Sequence, residues 1–199
     1  MTILLLLTCG LCFGQSKPNI KVFEIVCDSI YKDRGYKIIQ SYFPDGIDTI
    51  NNNNSVFQLL RTKESKQIIL YQDTIYSRTG EIAFRDFNND GIKDILIQNI
   101  SDVRSNWTYY LYLIDTISDR IKKIKGFEEI KNPNYLPQYD LVDNYVNSGQ
   151  DWTSFYKIKG DTIKDYNIVI YDDHTDKGTY DSDYKKAIQT ILKNEKTSR

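Results

Sequence analysis

Along most of the chain, apolar and polar residues alternate with a period near two, the pattern of strands that bury one face. Residues 20–26 predict a first strand and 35–43 a second, closed by the turn Pro44-Asp45-Gly46. Residues 51–54 read as a polar loop, and 55–61 fit a strand or a single helical turn. Ile68, Ile69 and Leu70 carry a strand over 66–71, followed by another at 74–76. Strands at 81–85 and 94–100 flank an acidic stretch, and 107–115 is strongly β, rich in Tyr, Leu and Ile. Shorter strands are expected at 120–125, 139–146, 153–159 and 162–171. One segment changes period. Tyr184, Ala187, Ile188, Ile191 and Leu192 share a helical face, with Ser182 or Asp183 as cap, and this face is expected to pack on a sheet edge. The expected fold is all-β and mainly antiparallel, a compact sandwich or partial-propeller-like stack, ended by a C-terminal α-helix.

The tripeptide Asp-Thr-Ile recurs at Asp48, Asp73, Asp115 and Asp161 with unequal spacing, so it is no solenoid period. It reads as repeated hairpin chemistry, with Asp in the turn and β-branched residues opening the next strand.

The N-terminus breaks the alternation. Ile3 to Leu7 is a solid apolar run, continued by Cys9, Leu11, Cys12 and Phe13 and ended by Gly14-Gln15-Ser16-Lys17-Pro18. It is too short to span a bilayer as a helix and reads as a signal peptide over residues 1–15, although no Lys or Arg precedes it. Leu6-Leu7-Thr8-Cys9 is a poor lipobox, because Thr precedes the cysteine, yet it keeps a lipid anchor open. Residues 16–199 then form one domain with Cys27 as the lone cysteine, which excludes an internal disulfide and a cysteine zinc cluster. The expected location is periplasmic or secreted.

Composition narrows the partners. Lys and Arg number 26 against 27 Asp and Glu, without a basic block, so no nucleic-acid footprint is expected. Proteins, ions or neutral polymers remain.

The chemistry concentrates in Asp86-Phe87-Asn88-Asn89-Asp90-Gly91-Ile92-Lys93-Asp94. Oxygen-bearing side chains stand at loop positions one, three, five and nine (Asp86, Asn88, Asp90, Asp94), and Gly91 allows a sharp turn at six. The Ile92 carbonyl can serve at seven. This spacing wraps a hard cation in oxygens, and flexible oxygen ligands suit calcium better than magnesium. It differs from an EF-hand, since Ile97 replaces the bidentate Glu at twelve and strands flank the loop. An Asx-rich turn is the alternative.

This loop, followed at once by an apolar strand, resembles the calcium loops of FG-GAP and VCBS-type repeats. The aromatic strand ending at Asp115, then Phe127-Glu128-Glu129-Ile130 with Asn132-Pro133, then residues 152–156 and the hairpin at Lys159-Gly160-Asp161, extend the likeness over roughly residues 81–171. That order resembles small exported bacterial proteins with a single such loop. These include immunity-type inhibitors of peptidoglycan hydrolases, related in fold to periplasmic inhibitors of invertebrate-type lysozyme. The resemblance implies a calcium-binding, non-enzymatic protein that binds and inhibits a cell-wall hydrolase. Ser101 to Trp107 or Asn144 to Trp152 would supply its inhibitory loop, with Arg104 and Trp107 as anchors because Arg and Trp are favoured at interfaces. An adhesion or glycan-binding module is the alternative.

Other features read as structural. His174 is the only histidine, which excludes a multi-histidine zinc site; it lies in an acidic loop and reads as solvated or as part of a second cation site. Glu128 and Glu129 are adjacent and usually would point apart. Trp107, Tyr109, Tyr110, Tyr112, Trp152 and Tyr156 could form a carbohydrate platform, but alternate strand positions face opposite sides. No nucleophile elbow or phosphate-cradling glycine loop occurs. Asn53, Asn99 and Asn106 lie in N-x-S/T sequons.

Overall fold

The computed structural model describes residues 20–44, 52–172, 174 and 178–197. The expected signal peptide, the cysteines at 9 and 12, the turn at Asp45-Gly46 and the Asp48 tripeptide lie outside them. Among the described residues twelve strands, β1 (Lys21–Val26), β2 (Tyr36–Tyr42), β3 (Ser55–Lys63), β4 (Lys66–Ile75), β5 (Ile82–Arg85), β6 (Asp94–Ser101), β7 (Trp107–Asp115), β8 (Arg120–Ile124), β9 (Pro133–Leu136), β10 (Leu141–Asn144), β11 (Asp151–Lys159) and β12 (Thr162–Asp172), precede the helix α1 (Tyr180–Thr197).

The strands form three antiparallel meanders of four, β1 to β4, β5 to β8 and β9 to β12, each in chain order. Such four-stranded units are the blades of propellers, and here they stack without closing a barrel. Period-two alternation explains the stacking. In β6 and β7, Ile95, Ile97, Tyr112 and Ile114 pack against Ile38, Phe57, Leu59 and Ile75 of the first sheet. Their neighbours Leu96 and Leu111 pack, with Ile124 and Phe127, against Val142 of the third. The third sheet turns its other face, with Leu141, Phe155 and Ile170, toward Ala187, Ile188 and Ile191 of α1. The layers are therefore sheet, sheet, sheet and helix, and the helix covers a sheet face rather than an edge.

Local chemistry sets the hairpins. Glu64 and Ser65 both have positive φ (51° and 64°) between the paired residues Lys63 and Lys66, a two-residue turn whose twist matches its strands. Asp115 accepts the N–H groups of Ile117 (2.9 Å) and Ser118 (3.1 Å), and Asp161 precedes β12, so these two tripeptides serve turns as expected. Asp73 does not. It sits inside β4, where its Oδ2 accepts Tyr112 Oη–H at 2.9 Å and Lys123 Nζ–H at 2.7 Å. The β4 segment is thus one strand rather than two.

Other differences have similar causes. Residues 55–63 form a central strand, because Phe57 and Leu59 are needed in the first core. The strand expected at 139–146 shortens to β10, because 137–140 form the turn that joins it to β9, a strand not expected from the sequence; β9 opens on Pro133, a position where a missing N–H is tolerated. The helix begins at Tyr180, earlier than expected. The Thr179 carbonyl accepts Asp183 N–H at 2.9 Å, and the Thr179 hydroxyl reaches the Asp183 carboxylate.

The first two sheets are also stitched by buried polar groups. Asn54 Nδ2–H donates to the Ser77 carbonyl and Asn54 Oδ1 accepts Ser77 N–H (3.0 and 2.8 Å), while Ser77 Oγ–H donates to the Gln98 carbonyl at 2.6 Å. This holds the connection from β4 to β5 between the layers.

Before β2, residues 27–35 fold over the end of the first core and close at Gly35 (φ 64°). Its carbonyl accepts Thr62 N–H at 2.8 Å, and an added Cβ would stand 2.7 Å from the Thr62 carbonyl oxygen. Gly35→Ala is therefore expected to cost about 1–3 kcal/mol in urea unfolding. Gly126 (φ 81°), with nothing within 4 Å of its added Cβ, makes the control, and its Ala variant should lose clearly less. Equal losses would show that the Thr62 contact is irrelevant.

Candidate metal centre

Arg85 pairs with Asp94, so residues 86–93 are the loop of the hairpin β5–β6. Two left-handed positions, Asn89 (φ 58°) and Gly91 (φ 79°), turn the chain sharply enough for its polar side chains to curl inward. Asp86 Oδ1 accepts the N–H groups of Asn88 (3.1 Å) and Asn89 (2.6 Å), and its Oδ2 accepts Gly91 N–H at 2.9 Å. Asp90 Oδ1 accepts Ile92 N–H at 2.7 Å, and Asp90 Oδ2 accepts Asn88 Nδ2–H at 2.8 Å. Asp86, Asn88 and Asp90 thus gather in one exposed, oxygen-rich turn, with the Ile92 carbonyl following.

Asp94 has a different setting. It is fully buried, its Oδ2 accepting Phe87 N–H at 2.8 Å and its Oδ1 accepting Ile114 N–H at 3.1 Å. One carboxylate thereby ties the first residue after Asp86 to the middle sheet. Burial pushes its pKa up to about 7, against the two N–H donors, with the charges of Asp90 and Asp86 adding to the rise. Among the described residues no three His, Cys, Asp or Glu side chains stand together as a metal cluster. The donors of the turn are nonetheless all hard oxygens, and a carboxylate that accepts N–H bonds keeps further lone pairs. By their chemistry, Asp86, Asn88, Asp90 and the Ile92 carbonyl could hold a hard cation, while both oxygens of Asp94 are engaged by backbone N–H groups.

At the other end of β6 stands the loop 101–106. Val103 at its tip is completely exposed, and Arg104 beside it is exposed too. Asp102 organises the base, accepting the N–H groups of Arg104 (2.9 Å) and Asn106 (3.1 Å), Asn106 Nδ2–H (2.9 Å to Oδ2) and Lys131 Nζ–H at 2.8 Å. Lys131 and Asn106 hold the Asp102 carboxyl well below the usual range. The loop 144–150 joins the same structure. Asn106 Nδ2–H donates to the Asn147 carbonyl (2.8 Å), Asn106 Oδ1 accepts Asn147 N–H (2.9 Å), and Arg104 Nη1–H donates to the Ser148 carbonyl. The two loops singled out in the sequence are therefore one surface. Trp107, half-buried, is fixed by Asn132, whose Oδ1 accepts Trp107 N–H at 2.8 Å and whose N–H donates to the Trp107 carbonyl at 2.7 Å.

The remaining candidates separate. Tyr110 and Tyr112 belong to the first core and Tyr109 and Tyr156 to the second, so no platform unites them. Asn106 and Asn99 are buried. His174 Nε2 lies 3.0 Å from Asp151 and its Nδ1 3.7 Å from Asp172, with Tyr145 Oη–H on both carboxylates (3.3 and 3.0 Å). Sequence reasoning missed the roles of Asp102, Asn106, Asn132 and Asn147; only Asp102, two residues before Arg104, carries a local turn signal.

The fold and turn define a layered antiparallel β protein with one oxygen-rich hairpin loop. Comparison with family models, with curated proteins and with solved structures finds no match.

Asp94→Ala would leave two buried N–H groups without a partner and is expected to cost about 2–4 kcal/mol even without added metal. Asp90→Ala, in an exposed turn, should cost less than about 1 kcal/mol under the same conditions. Urea unfolding in chelator measures both; a harmless Asp94→Ala would refute the anchoring role.

Proposed function

We propose that this chain is an exported calcium-binding protein that binds and inhibits a cell-wall hydrolase. The observation that carries the reading is the joined surface of residues 101–107 and 144–152. A loop already held by Asp102, Asn106 and Asn132 loses little further conformational entropy on binding. Val103 offers an apolar tip, and Arg104, anchored at one nitrogen by Ser148, offers a charge-assisted donor to the carboxylates of a peptidoglycan-cleaving enzyme. Trp107 supports it from the base.

Calcium serves stability in this reading. When bound, it neutralises the carboxylates of the turn; Asp86, Asn88, Asp90 and the Ile92 carbonyl hold it, and Asp94 joins that turn to β7. The binding loop lies at the far end of β6, whose eight residues span roughly 25 Å, and is ordered by its own hydrogen bonds. Export is part of the same proposal, from the apolar N-terminal run.

Calcium at ten times its dissociation constant is expected to stabilise the protein by about 1.4 kcal/mol. Calorimetric titration and thermal unfolding would read this, and Asp90→Ala should abolish it. Identical melting of both proteins with and without calcium would remove the metal from the proposal.

Inhibition is tested by the turbidity of cell-wall suspensions digested by lysozymes and by any peptidoglycan hydrolase encoded nearby. Excess protein should slow at least one, and Arg104→Ala should weaken inhibition at least tenfold, about 1.4 kcal/mol. If no enzyme is slowed, the inhibitor reading falls; if Arg104→Ala inhibits equally well, its anchoring role falls.

A further inference from the structure

A second recessed surface lies away from the joined loops, where residues 27–35 meet the exit of the 86–94 turn. Its cavity of about 330 Å³ is lined by Ser29, Ile30, Tyr31, Lys32, Arg34, Gly91, Ile92, Lys93 and Thr116. Three of these nine residues are cationic and none is acidic, in a chain whose net charge is −1. Among the described residues, Lys32, Arg34 and Lys93 form no ion pair, whereas Arg61 nearby is bound by Asp119. Ser29 and Thr116 add hydroxyl groups.

The walls are fixed. Tyr31 is buried, and its hydroxyl donates to the Lys93 carbonyl at 2.7 Å, clamping the segment 27–35 to the first residue before β6. The Tyr31 and Ile30 N–H groups donate to the Cys27 carbonyl, and Arg34 N–H to the Tyr31 carbonyl at 3.2 Å, so the segment is wound tightly upon itself. Gly35 then delivers the chain to β2 in a conformation that other residues resist. Arg34 is thus held between two fixed points, and Lys93 projects from the opposite wall. Lys32 and Arg34 also border a neighbouring recess of mixed charge, lined by Asp28, Asp33 and Glu64 together with Arg61 and Lys63.

We infer that this cleft between residues 27–35 and 91–93 binds an oxyanion, the phosphate or carboxylate group of a small acidic ligand. Arg34 supplies a planar fork suited to two oxygens of one group, and Lys32 and Lys93 supply point charges from either side. The cavity admits a ligand the size of a sugar phosphate or a sugar acid. Attraction by partly exposed cations is sensitive to salt, so binding weakens as ionic strength rises.

The test is an amide chemical-shift titration of the full chain in calcium-containing buffer at constant ionic strength. Glycerol 2-phosphate and glucuronate are the probes, and glycerol is the neutral control. Saturable shifts are expected at residues 29–34 and 91–93. Shifts with the phosphate alone identify a phosphate ligand, and shifts with glucuronate alone a carboxylate; equal shifts identify a general oxyanion site. Lys32→Gln combined with Lys93→Gln, both at exposed positions, should weaken binding at least tenfold while leaving the melting temperature unchanged; Arg34→Gln should do the same. The inference is overturned if neither probe gives saturable shifts there. It is equally overturned if glycerol reproduces them, or if the folded double variant binds as tightly as the parent.

Discussion

Burial of the middle sheet on both faces constrains everything around it, and β6 carries most of that constraint. From Asp94 to Asn99 every residue is buried, with Ile95 and Ile97 directed to one core and Leu96 to the other. A strand in this position has no solvent face, so a shift of one residue would exchange the contents of the two cores. Its register must therefore be set firmly at both ends. Asp94 does this at the start, where one carboxylate accepts N–H groups from Phe87 and Ile114. At the far end the irregular pairing between Gln98 and Ser101 lets the strand leave the ladder and turn into the exposed loop.

The polar groups kept inside follow the same logic. Asp73 reaches Tyr112 and Lys123 from the first sheet, and Asp143, raised in pKa by burial, accepts hydrogen bonds from Tyr184 of the helix and from Asn134. The bonds to Tyr112, Lys123 and Tyr184 join two layers whose apolar contacts are directionless, while Asn134 holds Asp143 from within its own sheet. Apolar packing brings the layers together, and these directional bonds select how they sit. The first sheet has no such double burial. Strand β1 is exposed along most of its length, with Val22, Phe23 and Val26 open to solvent.

The two ends of β6 serve different purposes. The 86–94 turn is a local arrangement of carboxylates around backbone N–H groups, and it borders the cationic cleft closed by Tyr31. The 101–106 loop is built from long-range contacts to residues 131, 132, 147 and 148. A shared strand links them mechanically, yet each has its own source of order. A rigid strand between two independently ordered loops lets either be altered without dissolving the other.

What could be read from residues alone is what depends on near neighbours. Alternation marked most strands, the spacing of Tyr184, Ala187, Ile188, Ile191 and Leu192 marked the helix, and Asp86, Asn88, Asp90 and Gly91 marked the turn, because their bonds span only two to five residues. The second role of Asp94 was invisible, since Ile114 lies twenty positions away. So was the role of Asp73, whose tripeptide matches two others that do form turns. The division of twelve strands into three stacked meanders, the joining of Arg104 to Ser148 and the meeting of Tyr31 with Lys93 were settled only by packing. Alternation states that a strand has a face to bury but not which surface will cover it. That choice is made when whole sheets compete for the same apolar partner.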